Sequence, residues 1–388
     1  MEKDIKKTFY MKDLYLYVEF KQFKMKKHTT LFALLLFAVM QGAFAQIIFT
    51  GTVYDKDTNQ PIPDVYVSFN GTMAYAITDD SGKFELTVTQ RLITQLVFSH
   101  IAYHTVIIEN PFDEFPEKIY MEQRSNILNN VVVSVKGLPE YADPFSRAQK
   151  LRAFREQFLG TTRAGRACII MNENDIELRY DVRTNTLYAF SDNPVVVLNE
   201  YLGYMVSFTL LDFKVEYAIQ KRSFNIGPVS YFNEYVALGR NNVQQSYYAV
   251  MSSFTDLNPD DERIKSRRDD VYEQSSTSFF KNIANNTLDE SGFRFYEIGR
   301  RYHIDQSKYF TIEEDDTPWL KKIRVISSSD SMINVRYRSN RLSILNFRTD
   351  TLLVDSYGNI DHPNKVIFRG VMGDARVGEM LPLDYEPN

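Results

Sequence analysis

Apolar and polar residues alternate with a period of two along Ile47–Val88, which predicts a series of short β-strands. The first strand covers Ile47–Tyr54, and Val65–Phe69 forms the second. Asn70-Gly71 predicts a two-residue hairpin turn between strands, because both residue types tolerate positive φ. Asp and Gly residues predict a second hairpin turn at Thr78–Gly82.

Strand patterns continue beyond these turns, at Gln95–Ser99, Thr105–Ile108, Lys118–Gln123 and Val131–Val135. About seven short strands with turn signals between them predict a β-sandwich. We place this domain at residues 46–136.

The turn residues also carry a family resemblance. The pattern G-x-V-x-D-x-x-T-x-x-P, then V-x-V, then T-D-x-x-G-x-F-x-L resembles the carboxypeptidase-like regulatory domain, through Gly51, Asp55, Thr58, Pro61, Thr78, Asp79, Gly82 and Phe84. The resemblance implies a transthyretin-like, seven-stranded β-sandwich whose motif residues serve turns and core. It also implies an origin in Bacteroidetes, where such modules precede envelope domains. It brings no peptidase activity, and no histidine here has the Glu three residues later that a zinc carboxypeptidase needs.

A linker and a helix follow the sandwich, at residues 137–160. Gly137-Leu138-Pro139 marks the boundary, and Pro144–Gly160 predicts a helix that Gly160 ends. The apolar residues predicted to share one face of this helix are Ala148, Leu151, Phe154 and Phe158.

Residues 161–388 predict a strand-rich α+β domain of unknown function, so the whole chain is mainly β with α+β. Strands dominate Ala167–Tyr217, and a second helix is predicted over Asp256–Asn285, opening with a cap, a proline and acidic residues. Later strands are predicted at Ile323–Ser327, Ile333–Tyr337 and Leu352–Asp355. Short segments including Asn199–Tyr204 and Leu381–Pro387 are similar to the region that accompanies such regulatory domains in Bacteroidetes envelope proteins, and that similarity implies no activity.

The N-terminal residues predict export. Residues 25–45 combine a short basic start, an apolar run and small residues, as a signal peptide cleaved before Gln46 does. The apolar run is shorter than the about 20 residues of a spanning helix, although a retained anchor is the alternative. Residues 1–24 are interpreted as a spurious or unstructured extension, with Met25 as the true start. We therefore expect an exported protein of the periplasm or associated with the outer membrane.

The composition of the chain limits the classes of partner that we expect. The chain has 388 residues with 14% aromatics and a net charge of −5, and without its first 45 residues the charge is −9. This charge disfavours nucleic acid as a partner. The single cysteine, Cys168, cannot form an intrachain disulfide, and its apolar neighbours indicate a buried packing residue.

Few residues suggest metal chemistry. Asp55, Asp57 and Asn59 imitate the start of a calcium loop, but the required glycine and bidentate Glu are missing, so a surface turn is favoured. His100 and His104 are four residues apart, yet between strand patterns that spacing does not bring them together as ligands. We therefore assign no catalytic, cofactor-binding or metal residue, and no cofactor.

Two charged runs and a set of tyrosines admit more than one interpretation. Lys265, Arg267 and Arg268 lie among acidic residues and predict a solvated helix face, and Glu313–Asp316 predicts an exposed, self-repelling loop rather than a cation site. The tyrosines form either a binding surface or core and cross-strand pairs, the second being commoner. They are Tyr201, Tyr204, Tyr231, Tyr235, Tyr247 and Tyr248.

The preferred hypothesis is a noncatalytic envelope protein whose sandwich acts as an interaction or positioning module for a protein or glycan. The alternative is a hydrolase with an unrecognised site in the C-terminal region, for which His303 and His362 are the best candidates. A fragment of an outer-membrane transporter is disfavoured, because long strands with aromatic girdles are missing. The oligomeric state is left open.

Overall fold

The structure, a computed structural model, describes residues 46–124, 143–226, 229–297, 304–326, 332–338, 341–361 and 363–387. Residues Ile48–Asn388 group into one compact unit. The predicted signal peptide at 25–45, the boundary at Gly137-Leu138-Pro139 and the strand at Val131–Val135 lie outside the described residues.

Seven strands form the predicted β-sandwich, which is confirmed. They are β1 Ile47–Asp55, β2 Tyr66–Phe69, β3 Tyr75–Ile77, β4 Lys83–Val88, β5 Leu96–His100, β6 Tyr103–Ile108 and β7 Lys118–Met121. One sheet has the order β4-β1-β7 and the other β3-β2-β5-β6. Along β4, Phe84, Leu86 and Val88 are buried while the residues between them are exposed, as the alternation predicts.

The two predicted turns differ from expectation. The Asn70 turn does join the antiparallel strands β2 and β3, but its loop covers five residues, Asn70–Ala74. The Thr78–Gly82 turn is not a hairpin, because β3 pairs with β2 and β4 with β1 in the other sheet. The Thr78 hydroxyl donates to the carbonyl of Ile62 at 2.8 Å and accepts from the Val65 N–H at 2.9 Å. These bonds hold the end of β3 against its own sheet, so the chain crosses to the second sheet.

The predicted helix after the sandwich is α1, Arg147–Phe158, followed by the short helix α2, Arg163–Arg166. Ser146 and Gln149 form a capping box at its start, and Gly160 follows its end with φ of +90°. Phe154 and Phe158 are buried as predicted, but Ala148 is exposed and Ala153 takes its place on the buried face.

A six-stranded sheet packs on α1. Its strands and the neighbouring hairpin are β8 Cys168–Ile170, β9 Glu177–Asp181, β10 Thr186–Phe190, β11 Val195–Asn199, β12 Tyr204–Tyr217, β13 Gln220–Ile226, β14 Val229–Tyr235 and β15 Val243–Asp256. Strand β12 pairs with β10 and β11 along one side and with β15 along the other, while β13 and β14 form a separate two-stranded sheet. The core on this sheet joins Phe154 and Phe158 of α1 to Phe208 and Phe213 of β12.

The second predicted helix is two helices, α3 Glu262–Glu273 and α4 Ser276–Ala284. Asp261 caps α3, and Asp256 belongs to β15 rather than to the helix. The single-helix prediction is wrong because the Ser275 hydroxyl accepts from the Ser278 N–H at 3.0 Å, which starts a new helix.

Two smaller sheets complete the chain. Their strands are β16 Phe293–Tyr296, β17 Phe310–Glu314, β18 Lys321–Val325, β19 Met332–Tyr337, β20 Arg341–Phe347, β21 Thr351–Val354 and β22 Val366–Gly370, and a short helix α5 covers Val371–Asp374. The sheets have the orders β16-β19-β20-β22 and β17-β18-β21. Phe279 and Phe280 of α4 lie in the core that they share. The predicted strand-rich α+β character of this region is confirmed.

Candidate functional site

The calcium-like residues after β1 form a turn. The Asp55 carboxylate accepts hydrogen bonds from the N–H groups of Asp57 at 2.9 Å and Thr58 at 2.8 Å, and from the Tyr103 hydroxyl at 3.0 Å. The bond from Thr58 is the main reason that the pKa of Asp55 lies below its ordinary value, although burial acts in the opposite sense. The carboxylate therefore stabilises a turn, which is the interpretation that the sequence favoured for Asp55, Asp57 and Asn59.

His100 and His104, the two histidines considered as a metal pair, lie on different strands. His100 ends β5 and lies opposite Tyr103 at the start of β6, while His104 is the next residue of β6. The His100 Nδ1 accepts from the Ala102 N–H at 3.1 Å. No group of three or more His, Cys, Asp or Glu side chains that could hold a metal occurs among the described residues. His303 and His362 lie outside them.

The charged run of α3 is not simply a solvated face, and that prediction is wrong for Arg268. Its side chain is 4% exposed and donates to both carboxylate oxygens of Asp256, at 2.8 and 2.7 Å. It also donates to the carbonyls of Leu202 at 2.8 Å and Gly203 at 3.4 Å, and its guanidinium lies 4.0 Å from the ring centroid of Tyr204. The long side chain reaches across to β12 and β15, which the local charge pattern does not show.

The acidic run is not a self-repelling loop in its first half. Glu313 and Glu314 belong to β17, where Arg324 Nε donates to Glu313 at 2.8 Å and Lys321 Nζ to Glu314 at 2.6 Å. The basic partners come from β18, which pairs with β17. The prediction is wrong because strand pairing brings these opposite charges together from seven or more residues away.

The predicted tyrosines do not form one surface. Tyr204 is buried, and Tyr248 packs edge-on against Phe158 with ring centroids 5.8 Å apart. Tyr201 lies within 5.2 Å of Arg163 and 4.9 Å of Arg267, measured from ring centroid to guanidinium carbon. Tyr235 and Tyr247 are exposed, and the side chain of Tyr231 lies outside the described residues.

Tyr235 lies in an open groove of about 420 Å³ beside the six-stranded sheet. This groove is lined by residues before α1, by residues of β9 and of the β9–β10 turn, and by residues at the open end of the β13–β14 hairpin. They are Pro144, Phe145, Tyr180, Val182, Asn185, Ile219, Glu234, Tyr235 and Val236. Its volume is within the range of small-molecule sites. We call it the β9–β14 groove.

The wall of the β9–β14 groove is fixed by packing. The rings of Phe145 and Tyr180 meet edge-on with centroids 4.8 Å apart, and the Tyr180 hydroxyl donates to Asn185 Oδ1 at 3.2 Å. Burial, together with the charges of Asp143 and Asp181, raises the pKa of Tyr180 to about 12, so this hydroxyl stays a donor at neutral pH.

The rim of the same groove is apolar and exposed. Ile219 is 52% exposed, Tyr235 46% and Val182 36%. Of these the sequence singled out only Tyr235, because isolated Ile and Val residues in a strand pattern resemble core residues. The Glu234 carboxylate, which pairs with Lys221, and the Asn185 amide add polar atoms to the lining.

The sandwich is bonded to this larger region through the Asn70 turn. The Gly71 N–H donates to the Ser252 carbonyl of β15 at 2.6 Å, and the Gly71 carbonyl accepts from the Leu383 N–H at 2.7 Å. Gly71 has φ of +79°, and a Cβ there would lie 2.9 Å from the Leu383 side chain. Glycine is therefore needed for docking as well as for turning.

A second anchor is the buried carboxylate of Asp355, which is 3% exposed. It accepts the Ile93 N–H of the sandwich at 2.8 Å and the N–H groups of Tyr357 and Asn359 at 2.9 Å each. Burial raises the pKa of Asp355, and these hydrogen bonds offset part of that rise. The two anchors fix the sandwich against the region that carries the groove.

Membrane and family comparisons complete the description. Among the described residues, no helix has the length and apolar character needed to cross a membrane. No curated protein matches the chain. Residues 49–133 match the family model for the CarboxypepD_reg-like domain, a range that covers β2 to β7 and β1 from Phe49 onward. The resemblance carried by the turn motif is thus confirmed for this part, and the chain contains a CarboxypepD_reg-like domain at its N-terminal side.

Proposed function

We propose that the chain is a noncatalytic, exported envelope protein of a Bacteroidetes-like bacterium, and that it binds a glycan in the β9–β14 groove. The sandwich has the positioning role, because its anchors at Gly71 and Asp355 hold it against the groove-bearing region. The apolar run before Gln46 supports export.

The observation that carries the proposal is the exposed ring of Tyr235 in a groove that also contains a carboxylate and an amide. An exposed aromatic ring offers a flat apolar surface for the face of a sugar, and nearby polar groups can bond its hydroxyls. A protein partner would be expected to use a larger apolar surface than this groove provides.

The test is a binding titration of the full chain against a panel of bacterial and host oligosaccharides. For a glycan that binds, we expect Tyr235→Ala to raise the dissociation constant by about tenfold or more. A tenfold rise is a loss of about 1.4 kcal/mol of binding free energy. Tyr120→Ala is the matched control, because Tyr120 is also 46% exposed but lies in the sandwich strand β7. The control should bind as the unchanged chain does.

Several results would count against the proposal. Absence of binding across the panel, or equal effects of the two substitutions, would remove the glycan site. Release of shorter sugars during the incubation would favour the alternative hydrolase. Recovery of mature protein with residues upstream of Gln46 would argue against signal cleavage at the predicted place.

A further inference from the structure

Three arginines lie around the segment between α1 and α2. The Arg166 guanidinium donates to the Thr161 carbonyl at 2.8 Å, and Arg240 Nη1 donates to the Thr161 hydroxyl at 2.7 Å. Arg163 lies two residues further along the chain, and its guanidinium carbon is 5.2 Å from the ring centroid of Tyr201. All three arginines are exposed, so a ligand in solution can reach them.

Tyr201 brings a fourth arginine into this group. The guanidinium carbon of Arg267, on α3, lies 4.9 Å from the same ring centroid, and Arg267 also donates to the Tyr201 carbonyl at 3.3 Å. The guanidinium carbons of Arg163 and Arg267 are therefore at most 10.1 Å apart, which is the sum of their two distances from the centroid. We call the four residues the arginine cluster: Arg163, Arg166, Arg240 and Arg267.

Few carboxylates balance the arginine cluster. Among the described residues, one carboxylate forms an ion pair with it, since Asp374 Oδ2 lies 3.1 Å from Arg240 Nη2. Glu379 lies beside the cluster, and burial raises its pKa more than its hydrogen bond with Thr162 lowers it, which favours the neutral form. The chain without its first 45 residues has a net charge of −9. This basic surface is thus opposite in sign to the chain as a whole, and it attracts anions.

Two further carboxylates lie near Tyr201 in the sequence. Asp270 follows Arg267 by three residues on α3, a spacing at which opposite charges often pair. Within the described part of the chain, however, Arg267 contacts Tyr201 and forms no ion pair with Asp270. Glu200 is exposed and likewise forms no ion pair with Arg163 there. Two guanidinium groups therefore meet at one ring without an ion-paired carboxylate.

We propose that the arginine cluster binds a terminal phosphate group, either of a soluble phosphate compound or of a lipid headgroup. A guanidinium presents paired N–H donors that match phosphate oxygens. A terminal phosphate has three acceptor oxygens and a charge of about −1.5 to −2 at pH 7, so it can bond Arg163 and Arg267 together. A carboxylate has two oxygens, and one guanidinium occupies both of them. The Tyr201 hydroxyl is a further donor at the edge of the shared ring.

The phosphate site is separate from the proposed glycan site. No residue of the arginine cluster lines the β9–β14 groove. Each of the two proposals can therefore fail without the other.

The first arm of the test titrates the full chain with inorganic phosphate at low ionic strength and follows the phosphorus NMR signal. We expect saturable binding that an equal concentration of acetate does not displace. Arg163→Gln and Arg267→Gln should each raise the dissociation constant by about tenfold or more, because each removes charge-assisted hydrogen bonds. Added salt should weaken binding, since the cluster is exposed and its charges are screened.

The second arm identifies the source of the phosphate. The chain is sedimented with phosphatidylcholine vesicles that contain either phosphatidic acid, which has a terminal phosphate, or phosphatidylglycerol, whose phosphate is a diester. Binding to the phosphatidic acid vesicles in preference to the others assigns the site to a lipid headgroup. Binding of inorganic phosphate without vesicle binding assigns it to a soluble compound. Both results support the proposal when Arg163→Gln and Arg267→Gln weaken the binding.

Arg91→Gln is the matched control for both arms. Arg91 is exposed and lies between β4 and β5 of the sandwich, so the substitution removes the same charge from another surface. It should bind phosphate and vesicles as the unchanged chain does. Urea unfolding of the three variants shows whether each remains folded, so that lost binding is not mistaken for lost structure.

Four results would overturn the proposal. They are an absence of binding in both arms, equal displacement of phosphate by acetate, equal weakening by the control and the cluster variants, and vesicle binding that does not distinguish phosphatidic acid from phosphatidylglycerol. The last two would show a response to overall charge rather than recognition of a terminal phosphate.

Discussion

Replacement of Arg268 by methionine tests how strongly the buried ion pair holds α3 to the six-stranded sheet. Arg268 is 4% exposed, and Asp256, its partner, has a side chain that is 19% exposed. Removal of one member of a buried pair leaves an uncompensated charge and is expected to cost about 3–5 kcal/mol. Because Asp256 keeps some contact with water and accepts from the Asn258 N–H at 2.9 Å, we expect a loss near 3 kcal/mol.

Urea unfolding followed by circular dichroism at pH 7 measures this loss. Arg267→Met is the matched control: Arg267 is the neighbouring residue of α3, and its one protein hydrogen bond among the described residues is a long one of 3.3 Å to the Tyr201 carbonyl. The control should lose less than about 1 kcal/mol. If Arg268→Met cost no more than the control, the buried pair would not stabilise the fold as argued.

The pH dependence provides a second readout of the same pair. Burial opposes ionisation of Asp256, but the hydrogen bonds from Arg268 and Asn258 outweigh it and hold the pKa below the ordinary 3.8. A carboxyl whose folded pKa is lowered stabilises the fold above its unfolded pKa and loses that contribution as pH falls through the folded value. The stability difference between the unchanged chain and Arg268→Met should therefore shrink below pH 3.8. A difference that stayed constant in acid would contradict the assignment.

Two further predictions concern Gly71 and Cys168. Gly71→Ala should destabilise the fold by at least about 1–2 kcal/mol in the same unfolding assay, because φ is +79° and the new Cβ would lie 2.9 Å from Leu383. Gly239→Ala is the control, since Gly239 has φ of −108° and its nearest neighbour atom would be 3.6 Å away; equal losses would contradict the docking role. Burial raises the pKa of Cys168 from 9.0 to about 12, so iodoacetamide at pH 8 should label it about a thousandfold more slowly than a free thiol, with normal labelling in urea. A native rate within about tenfold of a free thiol would show that the sulfur is accessible and ionised.

Local patterns predicted the local elements well. Alternation at Phe84, Leu86 and Val88 predicted β4 and its buried face, and Gly160 predicted where the helix α1 ends. Both depend on interactions within a few residues, so the chain order contains the needed information. The turn motif likewise identified the domain that the family match at residues 49–133 confirms.

Partners that are distant in sequence were not predictable in the same way. The groove collects residues from Pro144 to Val236, and its exposed Ile219 and Val182 have the same letters as core residues. The sandwich contacts β15 and the C-terminal segment through backbone hydrogen bonds of Gly71 with Ser252 and Leu383. Almost every residue type has these backbone groups, so the sequence does not indicate which of them will pair.

The sequence by itself determined the sandwich, the strand-rich second region and the absence of a recognisable catalytic motif, because these follow from periodicity, turn residues and motif spacing. The tertiary structure alone decided that Arg268 is buried and that Glu313 pairs with Arg324 of the neighbouring strand. The physical reason is that burial and hydrogen-bond pairing depend on which strands become neighbours. A period-two pattern determines which face of each strand is buried, but it does not determine which strand lies beside it.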